Sequence, residues 1–226
     1  MIEELLPASV ATVEAYGDEE PAHTVLYPEE EAVVAKAVFK RRREFAVVRS
    51  CARSAMEKLG VPAQPILPGE RGAPGWPAGL IGSMTHCEGY GAAALARATE
   101  LASLGIDAEP HQPLPEGVLP AVALPAEVDR LRRLADDRPG IHWDRLLFSA
   151  KESVYKAWFP LTAKWLDFTE ADLDFFADAG EQHSGGFRAR LLVPGPLVGD
   201  RSVDRFEGRW TVRRGLVATA VSVPHT

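Results

Sequence analysis

Phe148-Ser149-Ala150-Lys151-Glu152-Ser153-Val154-Tyr155-Lys156-Ala157-Trp158 reads as a helix whose buried face carries charge. At 3.6 residues per turn, Leu147, Phe148, Val154, Tyr155, Trp158 and Phe159 fall on one arc, the pattern of a helix packed on a core. Lys151 lies near the middle of that arc. Glu152 and Lys156 sit on its border, four residues apart and therefore neighbours on the helix surface. Two readings fit. In one, Lys151 lays its stem along apolar neighbours while Glu152 and Lys156 pair with each other. In the other, Glu152 is a metal ligand or general base and the lysines face a phosphorylated substrate.

A second cluster bears on the choice. In Gly105-Ile106-Asp107-Ala108-Glu109-Pro110, an extended chain projects Asp107 and Glu109 to the same side at the end of an apolar strand. Two carboxylates this close repel, and a divalent cation turns the repulsion into coordination. Hard oxygen donors without histidine or cysteine favour Mg²⁺ over Zn²⁺. Asp107, Glu109 and Glu152 are thus a candidate metal set.

The rest of the chain sets the context. With 226 residues and 46% hydrophobic composition it can bury a sizeable core. A net charge of −7 argues against general nucleic-acid binding, which draws most of its affinity from a basic surface. Two cysteines, Cys51 and Cys87, make no disulfide framework and fit a reducing cytoplasm. The N-terminus lacks the basic start of a signal peptide, and no run of 18 apolar residues is long enough to cross a membrane. The sequence is read as a cytoplasmic protein with no membrane partner.

Pro28, followed by Glu29, Glu30 and Glu31, opens a long helix expected to run to about Leu59, where Gly60 and Pro62 stop it. Its cations, among them Arg41, Arg42, Arg49 and Arg53, form either a solvated face or a phosphate clamp. Residues 60–78 are a proline-rich loop. Leu80 to Met84, Gly91 to Ala98 and Leu101 to Ile106 are expected to form a three-stranded meander, with His86 at a strand end as either a phosphate ligand or a histidine satisfied by backbone groups. Five prolines between Pro110 and Pro125 mark a crossover, and Ala126 to Asp137 reads as a surface helix. The main helix of the second half starts near Trp143 and is expected to break at Pro160. Trp165 to Phe176 reads as irregular and aromatic, and its Trp165 and Phe168 beside Lys164 would suit an acidic partner. Phe187 to Val193, Gly208 to Arg213 and Gly215 to Val223 read as strands. The expected class is α+β: two pseudo-twofold-related subdomains, 1–112 and 113–226, each a long helix on a small antiparallel sheet, with the site at their interface.

These motifs resemble the phosphopantetheinyl transferases of the long pseudo-dimeric type. The likeness rests on Gly105-Ile106-Asp107-Ala108-Glu109, on Phe148-Ser149-Ala150-Lys151-Glu152 with Lys156, on Ser83-Met84-Thr85-His86, and on the basic helix carrying Arg41 and Arg49. The resemblance implies a monomeric enzyme that moves the 4'-phosphopantetheine arm of coenzyme A to a serine of apo acyl or peptidyl carrier proteins, as in polyketide, fatty-acid and nonribosomal-peptide synthesis. Adenosine 3',5'-bisphosphate would be released. It implies Mg²⁺ on Asp107, Glu109 and Glu152, with Glu152, Lys156 and His86 as catalytic groups. Coenzyme A would be held by Arg41, Arg49, Gly69, Glu70, Arg71, Thr85, His86 and Lys151 as well as Asp107, Glu152 and Lys156. Ala108 stands where some relatives place a further ligand, and Pro68 begins a loop where relatives can carry a lysine. The alternatives are a metal-dependent phosphodiesterase or nuclease, and a non-catalytic module that binds coenzyme A or a carrier protein.

Overall fold

Antiparallel strands closed by tight turns, with two long helices laid over them, make up the computed structural model, which describes residues 1–17 and 24–225. Strand β1 (Ala11–Tyr16) precedes helices α1 (Pro28–Val34) and α2 (Phe39–Lys58). Strands β2 (Leu80–Cys87), β3 (Tyr90–Arg97) and β4 (Leu101–Pro110) follow. Beyond the crossover lie α3 (Leu119–Val122), α4 (Pro125–Asp137) and α5 (Trp143–Thr162), then β5 (Ala171–Ala177) and β6 (Ser184–Leu191). The short hairpin β7 (Leu197–Val198) and β8 (Arg201–Ser202), then β9 (Arg205–Arg213) and β10 (Leu216–Pro224), complete the chain. Arg214 and Gly215 both take positive φ, 53° and 72°, the left-handed pair that closes a two-residue hairpin between β9 and β10. The α+β class is as expected. No helix among the described residues is long and apolar enough to cross a membrane.

The sheets are partitioned differently from two equal meanders. One has the order β1-β3-β2 and the other β4-β10-β9-β6-β5. Strand β4 therefore leaves its sequence neighbours and pairs along its length with β10, Asp107 standing opposite Thr219. Strand β1, unforeseen, takes the edge of the first sheet. β5 forms inside the segment expected to be irregular, its buried residues Ala171, Leu173 and Phe175 alternating with more exposed ones.

The first long helix is broken rather than continuous. In one helix Glu30 and Arg53 would stand roughly 35 Å apart at 1.5 Å per residue. The chain turns between α1 and α2 instead, and Arg53 Nη1 meets Glu30 Oε2 at 2.9 Å, both side chains being buried. Glu30 also accepts from the backbone N–H groups of Tyr27 and Ile66, so one carboxylate fastens α1, α2 and the proline-rich loop together. Pro160 does not end α5. It sits in the last turn, where its missing N–H removes a single helical bond. The helix closes only at Ala163, whose φ is 53° and whose N–H donates to Phe159 O at 2.8 Å.

Small residues let α5 lie flush on the second sheet. A Cβ on Gly105 of β4 would stand 2.0 Å from the Ser153 carbonyl oxygen and 2.7 Å from the Ala157 nitrogen. Ser103 donates to Ala157 O at 2.7 Å, and the Thr219 hydroxyl of β10 donates to Ser149 O at 2.9 Å. Around this contact Leu146, Leu147, Val154, Trp210 and Phe187 fill the core, each contributing roughly 1.5–3 kcal/mol by burial. Gly105→Ala is expected to lower stability by more than about 2 kcal/mol, since the clash is with backbone that cannot swing aside. Gly140→Ala, where a Cβ meets nothing within 4 Å, is expected to change it by less than about 0.5 kcal/mol. Urea midpoints of the two variants measure the contrast.

Candidate active site at the seam between the sheets

The two sheets meet edge to edge where β2 lies along β4. Their backbones do not pair directly; hydroxyls of β2 bridge the gap. Ile106 N donates to Ser83 Oγ and Ala108 N to Thr85 Oγ1, each at 3.1 Å. Ser83 and Thr85 thereby satisfy an edge that would otherwise be left bare. Asp107, between these two bonds, is turned into the seam. Thr85 Oγ1 lies 3.2 Å from its Oδ1, and Lys156 Nζ lies 2.7 Å from the same oxygen. Lys156 also donates to Ile106 O at 3.1 Å. Oδ2 of Asp107 is buried and has no protein partner. An orphaned carboxylate oxygen is costly to bury, and a cation satisfies it.

The other two acids flank this point. Glu152 sits one turn before Lys156 on α5, and burial holds its carboxyl above the usual carboxylate range. Lys156 opposes that rise and Asp107 adds to it. Glu109 is likewise raised by burial and then by Asp107, while Arg145 pulls the other way, its Nη1 lying 3.0 Å from Glu109 Oε2. The expected trio is not drawn into one cluster: among the described residues no three histidine, cysteine or acidic side chains converge as ligands. Mutual repulsion sends each carboxylate to a cation of its own where one is in reach, Asp107 to Lys156 and Glu109 to Arg145. The donors are nonetheless all hard oxygens beside an unpartnered one, a set that fits a divalent ion such as Mg²⁺.

A cleft of about 680 Å³ opens from the seam between α2, α5 and the proline-rich loop. Arg41, Arg49, Arg71, His86, Glu152 and Lys156 line it, so six of the expected residues share one cavity. His86 Nε2 is 2.8 Å from Arg41 Nη1 and 3.4 Å from Glu44. Burial and then the Arg41 charge lower its pKa, which leaves a neutral ring accepting from the guanidinium. Arg71, at a positive φ of 52°, leans over the Trp165 ring at 5.7 Å. Trp165 in turn packs against Tyr155, with ring centroids 5.1 Å apart and the planes tilted by 57°, and with Leu166 and Phe168 it walls a smaller apolar pocket that reaches Glu152.

Other expected residues are placed elsewhere. Lys151 points away from the seam: its ammonium is 2.8 Å from Glu127 of α4 and donates to the carbonyls of Phe168 and Ala171. Its position in the middle of the apolar arc sends it through the core to α4, so it does not order the phosphate pocket. Arg49 lines the cleft but is committed within the fold, with Nε on Ile66 O at 2.9 Å and the guanidinium 3.1 Å over the Phe45 ring. Burial lowers its pKa to about 10. Thr85 is buried beneath Asp107. Gly69 and Glu70 lie in the loop beside the cleft, whose wall is formed there by Pro68, Arg71, Gly72 and Ala73.

Sequence models of known families match both halves. That of the 4'-phosphopantetheinyl transferase N-terminal domain covers residues 29–96, and that of the 4'-phosphopantetheinyl transferase superfamily covers 103–192. The chain is 58% identical to the 4'-phosphopantetheinyl transferase Svp of Streptomyces mobaraensis, over 99% of this chain and 89% of that one. It is 46% identical to PptT of Mycobacterium tuberculosis over 98% and 97%, and 48% identical to Npt of Nocardia iowensis over 98% and 99%. The chain belongs to the 4'-phosphopantetheinyl transferase family. It transfers the 4'-phosphopantetheine arm of coenzyme A to a carrier protein, and the phosphodiesterase and binding-module alternatives are not favoured.

For this transferase, two partners of the expected residues are not legible in the sequence, one at the seam and one in the core. Arg145, one residue beyond the acid in the first turn of α5, pairs with Glu109 at the seam. Glu127 was read as part of a surface helix, yet it is buried and pairs with Lys151. Lys151→Met leaves Glu127 as an unpaired buried charge, so a loss of about 3–5 kcal/mol is expected. The Michaelis constant for coenzyme A should stay within about twofold wherever the variant remains folded. Thermal melts together with initial rates test both halves of that statement.

Proposed function

We propose that Asp107, Glu109 and Glu152 hold Mg²⁺ and that Glu152 is the base that activates the carrier serine. The observation that carries this reading is the buried, unpartnered Oδ2 of Asp107, whose other oxygen meets Lys156 on the wall of a basic cleft. When bound, the ion neutralises charge on the pyrophosphate of coenzyme A. Arg41 and His86 bind the nucleotide phosphates at one end of the cleft. Lys156 donates to pyrophosphate oxygens at the other. Arg71 closes the loop side, and the apolar pocket of Tyr155, Trp165 and Leu166 takes the uncharged pantetheine arm. The serine oxygen attacks the phosphorus attached to pantetheine, its proton passes to Glu152, and the bond to the bridging oxygen breaks. Adenosine 3',5'-bisphosphate leaves with that oxygen. The acceptors are acyl and peptidyl carrier proteins, and the enzyme acts as a cytoplasmic monomer.

Two outcomes are expected. Glu152→Gln keeps length and packing but cannot take a proton, so kcat should fall by roughly 10²–10⁴ while calorimetry still detects coenzyme A binding. A folded Gln variant with full turnover would remove Glu152 from the mechanism. Arg41→Ala should weaken coenzyme A more than dephospho-coenzyme A, because Arg41 is half-exposed at the cleft rim where a 3'-phosphate can reach it, whereas Arg49 is held on Ile66 O and the Phe45 ring. Equal losses for the two ligands would assign Arg41 to the pyrophosphate instead.

A further inference from the structure

The corner between α1 and α2 exposes apolar side chains beside a dense run of cations. Phe39 is 81% exposed, Val38 72% and Val33 47%. Isolated exposed apolar residues are ordinary, but three within seven residues at one corner of the chain are not isolated. Within residues 36–43 Lys36, Lys40, Arg41, Arg42 and Arg43 are cationic and no residue is acidic, although the chain as a whole carries −7. All five are exposed. The corner is also the rim of the cleft: Val33, Val34, Ala37 and Arg41 line it, and Arg41 reaches His86 directly.

We infer that this corner is the docking surface for the carrier protein, receiving an acidic helix whose apolar ridge covers Phe39 and Val38. The inference rests on the transferase reading and adds where the macromolecular substrate sits. A second copy of this chain is a poor occupant, because a twofold contact through the corner sets the same cations against each other. An acidic helix matches the rim in charge and covers the apolar centre, which is the usual arrangement of an interface. A carrier seated on the rim faces the same cleft that Glu152 and Lys156 line. The aromatic segment expected for this role is less suited. Trp165 already packs on Tyr155 and under Arg71, and Lys164 is the one cation between Ala163 and Phe168.

Two variants test the corner, Phe39→Ser and the double change Lys40→Glu with Arg42→Glu, none of these residues having been assigned to coenzyme A. With apo acyl carrier protein as acceptor, each should raise the Michaelis constant for the carrier by about tenfold or more. kcat and the Michaelis constant for coenzyme A should stay within about twofold, and in the wild type the carrier constant should rise with salt. If Phe39→Ser melts early, the double charge change decides, since it removes no packing. An unchanged carrier constant overturns the inference while leaving the activity intact. So does a rise shared equally with coenzyme A, which makes the corner part of the nucleotide site. Binding of the wild type to phosphatidylglycerol vesicles, lost in the variants with the carrier constant unmoved, assigns the corner to a lipid surface instead. Failure of the wild type to modify any carrier protein sinks the underlying reading and this surface with it.

Discussion

The contact between α5 and β4 sets the geometry of everything else. Gly105 has no side chain, so the helix backbone comes within van der Waals reach of the strand, and Lys156 arrives beside Asp107. Ser149 and Ser153, both fully buried, keep the same closeness along the helix. A bulkier residue at any of these points would lift α5 off the sheet, and even 1 Å is enough to spoil a constellation of charged groups. The glycine that opens the Gly-Ile-Asp run is thus a packing requirement, and it brings the acid that follows it against Lys156.

The seam shows how a half-partnered charge is kept inside a fold. Ser83 and Thr85 bond the free backbone edge of β4, which spares the protein a strand edge open to foreign pairing. Lys156 balances one oxygen of Asp107, and the other is left without a protein partner. A structural ion pair would satisfy both. Glu30 gives the contrast within the same molecule: its carboxylate is fully used by Arg53, Tyr27 and Ile66, and it holds elements together without facing the cleft.

Much of this was legible in the sequence because it follows short periodicities. The apolar arc of α5, the paired acids at the end of β4 and the strand hairpins are all set by neighbours within a few residues. What the sequence hid depends on distant partners. Nothing between Ala35 and Val38 signals a break, and α1 turns back because Glu30 finds Arg53. Lys151 and Lys156 look equivalent on a helical wheel. One meets Glu127 of α4 and the other Asp107 of β4, a difference that only the tertiary arrangement decides. Among the cations of α2, Arg49 and Arg53 are internal and Arg41 faces the cleft, which its two open interpretations had not divided this way.

The pairing of β4 with β10 joins Asp107 to Thr219 across half the chain. Contacts of such long sequence separation form late, after the loop between them has been closed. On the ribosome the acid-bearing strand emerges well before the last strand that gives it a sheet to join. Until then the seam lacks the support that holds Asp107 against Lys156. The enzyme therefore gains its chemistry only once β10 has been made, and a chain that stops short of that strand has no finished centre with which to act on coenzyme A.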